Sequence, residues 1–188
     1  MPSLSPSVVL VILALLVLGW YLTFSATRLD RLHARLEGAR NALDAQLVRR
    51  ASVSLQIAVS GRLDPASGLL LADAAHEARE TARETGTPDR EQAESDLTRA
   101  LQAAFAEPDS LEGFEVDAAG RELGRELSAA CLRVQLSRRF FNDVVSAARV
   151  VRRKWVVRYL RLAGHADWPA TAEFDDTPPP SLTGRLFT

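Results

Sequence analysis

Cysteine and lysine are almost missing from this chain. Cys131 is the one thiol, so no disulfide can close within it, which agrees with a reducing, cytoplasmic setting. Lys154 is the one lysine, and Arg supplies the rest of the positive side-chain charge. Aromatic residues make up 6% of the sequence while Ala and Leu abound, a composition suited to close-packed helices. No run of alternating β-branched residues is long enough to argue for a sheet. The formal net charge of -1 gives no global field that would draw nucleic acid. His33, His76 and His165 share no metal-ligand spacing, and His76-Glu77 lacks the second histidine of a zinc-binding helix. There is no Gly-rich phosphate loop either. The expectation is therefore no cofactor, no metal and no catalytic constellation.

What the chain does contain is one uncharged apolar run, residues 8–24 (VVLVILALLVLGWYLTF). As a helix it spans roughly 26 Å, enough for the hydrocarbon core of a bilayer. A cleaved signal peptide needs a basic leading region and small residues before the cut. Here the leading MPSLSPS has neither Lys nor Arg, and Phe24-Ser25-Ala26 places a bulky ring where a small residue belongs. This predicts an uncleaved, single-pass transmembrane helix over residues 7–25. Arg28, Arg31 and Arg35 follow the run closely and no basic side chain precedes it. The tendency of such residues to stay inside puts residues 1–6 outside a cell membrane and the remainder in the cytoplasm. Trp20 and Tyr21 fall near the inner boundary, where amphipathic rings settle.

Behind this run the periodicity is helical. Leu29, Leu32, Leu36, Ala39 and Leu43 step by three and four, and Leu47, Ala51 and Ser54 or Leu55 continue the face. This helix is predicted to be continuous with the anchor and to stop near Gly61, a suitable left-handed terminator. Asp64-Pro65 reads as an N-cap followed by Pro at the first helical position, starting a helix over 66–84. Thr87-Pro88 repeats the signal for a third helix ending near Ala106, and 108–116 reads as a loop with room for one short turn. The last helix is predicted over 118–163. Its stripe of Leu123, Leu127, Ala130, Val134, Ser137, Phe141, Val144, Ala148, Val151 and Trp155 alternates steps of four and three, the coiled-coil rhythm. The fold class is all-α: an N-terminal transmembrane helix followed by an antiparallel bundle of long helices over 26–164. In the Pro-rich tail, 165–188, Trp168 and Phe174 are candidate anchors back onto the bundle. Residues 175–180 read as extended and mobile.

The end of the last helix is chemically distinct. No acidic residue lies between Asp143 and Asp167, while Arg149, Arg152, Arg153, Lys154, Arg158 and Arg161 alternate with Trp155 and aliphatic residues. In an up-down bundle this end returns to the membrane, where each basic residue near anionic headgroups gains about 1 kcal/mol. Contact with the anionic inner leaflet is one reading; ion pairs within the bundle are the other. Nothing in the cluster matches a motif that reads nucleic acid.

Two segments carry a family pattern. The first ends Leu43-Asp44-Ala45-Gln46-Leu47-Val48-Arg49-Arg50; the second is Ser137-Arg138-Arg139-Phe140-Phe141-Asn142-Asp143-Val144-Val145. With the apolar leading run they resemble the LemA family of bacterial membrane proteins, in order and approximate spacing across most of the chain. The proline usual after the first Arg-Arg pair is missing from 52–56, and Ala148-Arg149 stands where a Tyr-Asn pair is usual. The resemblance implies an antiparallel helical bundle facing the cytoplasm and no enzymatic activity. Read physically, Asn142 can hydrogen-bond across the bundle to fix register, and Asp143 is placed to pair with Arg139 at i,i+4.

One stretch resembles an enzyme motif. Residues 79–86 (RETARETG) look like the core of a Nudix box, but Pro65 and Leu71 stand at the upstream Gly and Glu positions, and Arg83 replaces a metal-binding glutamate. Cys131 lies beside the core stripe and reads as a small buried residue. The sequence thus points to a non-catalytic scaffold or interaction module at the membrane, with unidentified protein partners or self-association. A membrane-linked sensor is the alternative and a Nudix-type pyrophosphohydrolase the remote one.

Overall fold

The computed structural model of the chain describes residues 6–83, 88–152 and 168–184. Among them there is no strand, and all regular structure is helical. In chain order the helices are α1 (Pro6–Val59), α2 (Pro65–Glu80), α3 (Pro88–Ala104), the single turn α4 (Glu112–Glu115), α5 (Ala118–Arg152) and the short α6 (Pro180–Gly184). The all-α expectation is met. Helix α1 runs unbroken for 54 residues, from the apolar run into the bundle. The predicted continuation of the last helix past Arg152 lies outside the described residues, and so do Arg153, Lys154, Trp155, Arg158, Arg161 and His165. Among the described residues no helix is long and apolar enough to cross a membrane. The side chains of Ala14, Leu18 and Leu22, inside the apolar run, are not among those described.

The helix boundaries follow from local chemistry. Gly61 takes φ 70° just past the end of α1, a conformation cheap only without a Cβ. Asp64 caps α2, its carboxylate accepting from the Ala66 and Ser67 amides at 3.0 Å, with Pro65 at the first helical position. Asp117 does the same for α5, accepting from the Gly120 amide at 2.6 Å while both its oxygens receive Arg62 Nη2 at 3.0 Å. These hydrogen bonds hold both carboxyls below the ordinary carboxylate range. Between α3 and α5, where the sequence suggests a loop with room for one short turn, the chain makes two. A 3-10 turn (Pro108–Leu111) leads into α4, whose Phe114 is buried with its ring 5.6 Å from that of Phe105. Turns this short carry no periodicity for a sequence reading to detect.

The chain forms two compact units. The first comprises residues 1–38 and 144–169. In it, the large apolar side chains described along α1, among them Leu10, Leu13, Leu16, Trp20 and Phe24, are exposed. The hydroxyls of Thr23 and Thr27 donate back to the Gly19 and Thr23 carbonyls at 2.9 Å.

The second unit comprises residues 39–143 and 170–188, and its helices form a bundle. Cross-links fix their directions. Arg49 pairs with Glu126 and Arg62 with Asp117, so α1 and α5 are antiparallel. Asp44 pairs with Arg90 and Arg50 with Glu94, so α1 and α3 run parallel. The core gathers Ala51, Val53 and Ile57 from α1, Leu71 and Ala75 from α2, Leu97 and Leu101 from α3, and Leu127 and Cys131 from α5. Two glycines permit the closest approaches. A Cβ on Gly113 would stand 2.5 Å from the Arg62 carbonyl oxygen, and one on Gly120 would stand 2.6 Å from that of Phe114.

Leu182 of α6 also belongs to this core, with no exposed surface. That corrects the reading of 175–180 as mobile. The stretch is extended, but it is fastened along its length, with Phe174 and Asp176 buried. Trp168, the other expected anchor, is 58% exposed.

Two outcomes follow for stability. Gly113→Ala should cost about 1–3 kcal/mol in urea unfolding, because the neighbour it meets is backbone. Gly38→Ala, with nothing within 4 Å of the added Cβ, should gain up to about 1 kcal/mol by the same measurement. The depressed carboxyls set an acid limit. A group whose folded pKa is lowered stabilises the fold above its ordinary value and loses that contribution as pH falls through the folded one. The melting temperature should therefore drop below pH 3.8, the ordinary value for Asp64 and Asp117, and Asp64→Asn with Asp117→Asn should make the drop shallower.

Candidate functional site

The polar chemistry of the second unit converges on one groove. Helices α3 and α5 form its walls, and the extended segment 170–179, leading into α6, lies in it as a strap. Contacts with α5 run from Asn142 to Ser128 as the strap runs from Ala172 to Leu182, so the two are antiparallel. Along α3 the order is Glu91, Ser95, Thr98, Gln102 and Phe105, in the same sense as the strap.

Most of these contacts reach the strap's backbone. The Asn142 side chain accepts from the Ala172 amide at 2.9 Å and donates to the Ala172 carbonyl at 3.2 Å, satisfying both backbone groups of that residue. Glu91 accepts from the Glu173 amide at 3.0 Å, and the Ser95 hydroxyl accepts from that of Asp175 at 3.2 Å. Thr98, Gln135, Gln102 and Ser128 donate to the carbonyls of Asp175, Asp176, Thr177 and Leu182 at 2.7, 3.1, 2.9 and 2.7 Å. One helical turn rises about 5.4 Å and two extended residues cover about 6.2 Å. Donors one turn apart on a helix therefore meet alternate residues of an extended chain.

Two side chains lock the register. Asp176 is buried and takes a bidentate pair from Arg138, Nε at 2.7 Å and Nη2 at 2.9 Å. That carboxylate pushes the Arg138 guanidinium above its ordinary pKa. The same guanidinium lies 5.6 Å from the centre of the Phe174 ring. A shallow depression of about 420 Å³ opens beside the strap, walled by Ser95, Arg138 and Asn142 and by the strap's Glu173 and Asp175. Its guanidinium is already engaged, and two carboxylates line it.

Behind the groove lies a buried ion pair. Arg50 Nη2 and Glu94 Oε2 are 2.7 Å apart, both side chains at most 2% exposed. Arg50 also donates to the Glu94 carbonyl and to the Thr98 hydroxyl, both at 3.1 Å. Thr98 in turn donates to the strap, so the pair and the strap belong to one network. Cys131 is buried near this charge; burial pushes its thiol up, against the opposing effect of Arg50.

The signature residues separate by role. Arg50, Arg138 and Asn142 belong to this network, and Phe141 is buried. Arg49 is half-exposed and pairs with Glu126. Arg139, Phe140 and Asp143 are exposed. Two expectations are corrected. Asn142 bonds the strap's backbone and not another helix. Arg139 and Asp143, though four residues apart, form no ion pair, since an exposed pair gains little over hydration. Of the basic segment, Arg149 is half-buried and its Nε donates to the Pro169 carbonyl at 2.9 Å; the Arg152 side chain and the rest lie outside the described residues. Glu91, Ser95, Thr98, Gln102, Gln135 and Asp176 were not expected. The signal of the four on α3 was a polar stripe at helical spacing, which reads equally as a solvated face; Gln135 on α5 and Asp176 in the strap had none. Of the Nudix-like stretch, residues 84–87 lie outside the described residues, and Leu71 is a core residue.

Glu94→Ala leaves a buried guanidinium unpaired and should cost about 3–5 kcal/mol in denaturant unfolding. Arg50→Met combined with Glu94→Leu should recover most of that loss, because breaking a buried pair costs far more than replacing it with apolar groups.

No family model, no curated protein and no solved structure matches the chain.

Proposed function

We propose that the chain is a membrane-tethered, non-catalytic scaffold, whose apolar leading helix anchors a helical bundle that presents an interaction surface in the cytoplasm. The observation carrying this reading is the surface of α1. Val9, Leu10, Val11, Leu13, Leu15, Leu16, Val17 and Phe24 are between 51% and 69% exposed, with Trp20 at 77%. In the sequence, residues 8–24 place no charged side chain on any face of the helix. An apolar surface that wide on a helix has no stable home in water, and lipid is the solvent that suits it. The hydroxyls of Thr23 and Thr27, returned to carbonyls one turn back, suit the same environment, where a free polar group is expensive. Arg28, Arg31 and Arg35 orient the anchor with the bundle inside. The resemblance to LemA proteins supports the same arrangement.

The bundle's polar side chains support a structural role. Arg50, Glu94, Arg138 and Asn142, the groups that in an enzyme would be aimed at a substrate, bind one another or the chain's own backbone. In this reading, Arg149 and the basic residues beyond it face anionic headgroups of the inner leaflet.

Fractionation tests the anchor. The full chain should stay with membranes through salt and alkaline washes and leave them only with detergent. Replacing Leu13 and Leu16 by Arg, each costing about 2.5–3.5 kcal/mol at mid-membrane depth, should release it. Full-length wild-type protein in the wash supernatant overturns the reading.

A further inference from the structure

Helix α5 is used on three sides. Its core stripe is buried, Glu126 on one edge pairs with Arg49 of α1, and Gln135 and Asn142 on the other edge bond the strap. The fourth side faces outward, and it is not the polar face that the outside of a surface helix ordinarily presents. Leu132, Leu136 and Phe140 follow one another at steps of four and are between 44% and 56% exposed. At 3.6 residues per turn they fall within an arc of about 80° and make a ridge about 12 Å long. Exposed apolar residues scattered singly are ordinary, but three in register one turn apart mark a contact surface. Arg133 and Arg139 flank the ridge, each about 60° from Leu136 on opposite sides. Both are exposed, and neither pairs with a carboxylate among the described residues. Asp143 sits past one end of the ridge, about 20° from its midline, and Glu122, paired with Arg125, lies beyond the other. Arg139, Phe140 and Asp143 are the residues of the second signature that the strap network leaves unused, and all three fall on this face.

We propose that this ridge is a docking surface for an acidic amphipathic helix of a partner protein. The docking surface presupposes the interaction-module role of the bundle and is independent of the anchor. A partner helix of about three turns, with apolar residues at i, i+4 and i+7, matches the length of the ridge. Carboxylates on its two edges meet Arg133 and Arg139. Charge selects this occupant over the alternatives. A second copy presenting the same ridge brings its own Arg133 and Arg139, and like charges in contact oppose that pairing. An anionic bilayer gains from the two arginines but meets the Asp143 carboxylate close to the midline. A protein helix can answer both signs in one register, with acidic edges along the ridge and no carboxylate opposite Asp143.

The test titrates two fluorescent synthetic helices, each about four turns long, into the full-length chain carried in neutral phosphatidylcholine vesicles. Both have the same leucine stripe; one carries Glu on its edges and the other Lys. By anisotropy the Glu peptide should bind about tenfold or more tightly than the Lys peptide, and Leu136→Asp should weaken it by about tenfold or more. Arg133→Glu combined with Arg139→Glu should invert the preference, a result that misfolding cannot produce. Equal binding of the two peptides, binding of neither, or a preference that survives the charge reversal overturns the proposal. Displacement of the Glu peptide by phosphatidylserine in the vesicles assigns the face to lipid and overturns it as well. So does an oligomer of the chain that Leu136→Asp dissolves, which assigns the face to a second copy. Pelleting the vesicles reports the anchor separately: chain left in the supernatant fails the membrane reading and is titrated in solution, so the two outcomes stay distinct.

Discussion

Arg50 and Glu94 meet at 2.7 Å where water scarcely reaches, and that pair constrains the arrangement around it. Two charges taken out of water lose several kcal/mol of hydration each, and each other's company, with the Arg50 hydrogen bonds to Thr98 and the Glu94 carbonyl, offsets it. The consequence is less a gain in stability than a loss of freedom. A one-turn slip of α1 along α3, about 5.4 Å, would leave a guanidinium and a carboxylate buried apart. Hydrophobic contacts among Ala, Leu and Val tolerate such slips more readily, since one aliphatic side chain replaces another at modest cost. The parallel register of these helices is accordingly set by charge: Arg50 on Glu94 in the interior and Asp44 on Arg90 near its edge.

The same constraint reaches the strap through Thr98. Its hydroxyl accepts from Arg50 and donates to the Asp175 carbonyl, so the element that aligns α1 with α3 also presents a donor to the extended chain. From there recognition is modular. Each turn of α3 offers one polar side chain, and α5 answers with Gln135, Arg138 and Asn142 from the other side. Extended backbone without neighbouring strands has amides and carbonyls to satisfy, and burying them unpaired is costly. Side chains of the two helices supply those partners here, as strands do in a sheet. This is how an acidic, Pro-rich segment becomes an ordered part of a helical unit.

The sequence revealed the elements governed by repetition and by capping. The stripe Leu127, Ala130, Val134, Phe141 on α5 is buried as its spacing requires, Asp64-Pro65 starts α2, and Gly61 ends the helix before it. These are local or periodic signals, readable without knowing the partner. Arg50 was not readable in this way. It sits in a run of two arginines whose neighbour Arg49 is half-exposed, and only the position of Glu94, 44 residues on, separates their environments. The groove was hidden for a related reason. Glu91, Ser95, Thr98 and Gln102 follow helical spacing, but polar residues on a helix face ordinarily meet water, and their use as a backbone ladder depends on a segment 75 or more residues distant. The tail was misjudged because composition rules weigh apolar content. Residues 175–180 contain no large apolar side chain, but Phe174 and Leu182 bracket them and both are buried.

The two units solve the problem of apolar surface in opposite ways. In the second, the central Leu, Ile and Phe residues are covered, and even the C-terminal segment contributes Leu182 to the covering. In the first, the large apolar side chains described along α1 are exposed. At about 25 cal/mol per Å² of apolar surface, a row of exposed Leu and Val side chains represents many kcal/mol of unfavourable contact with water. A chain able to fold its own tail back for the sake of one leucine has an evident means of covering apolar surface, and Leu10, Leu13 and Leu16 have not been covered by it. No rearrangement within residues 8–24 can help, because the apolar residues occupy every face and a partner helix would hide only one. A surrounding apolar medium covers all faces at once. In the membrane-anchored reading proposed above, the demand of α1 is for a different solvent, while that of the α3–α5 groove is for one particular peptide.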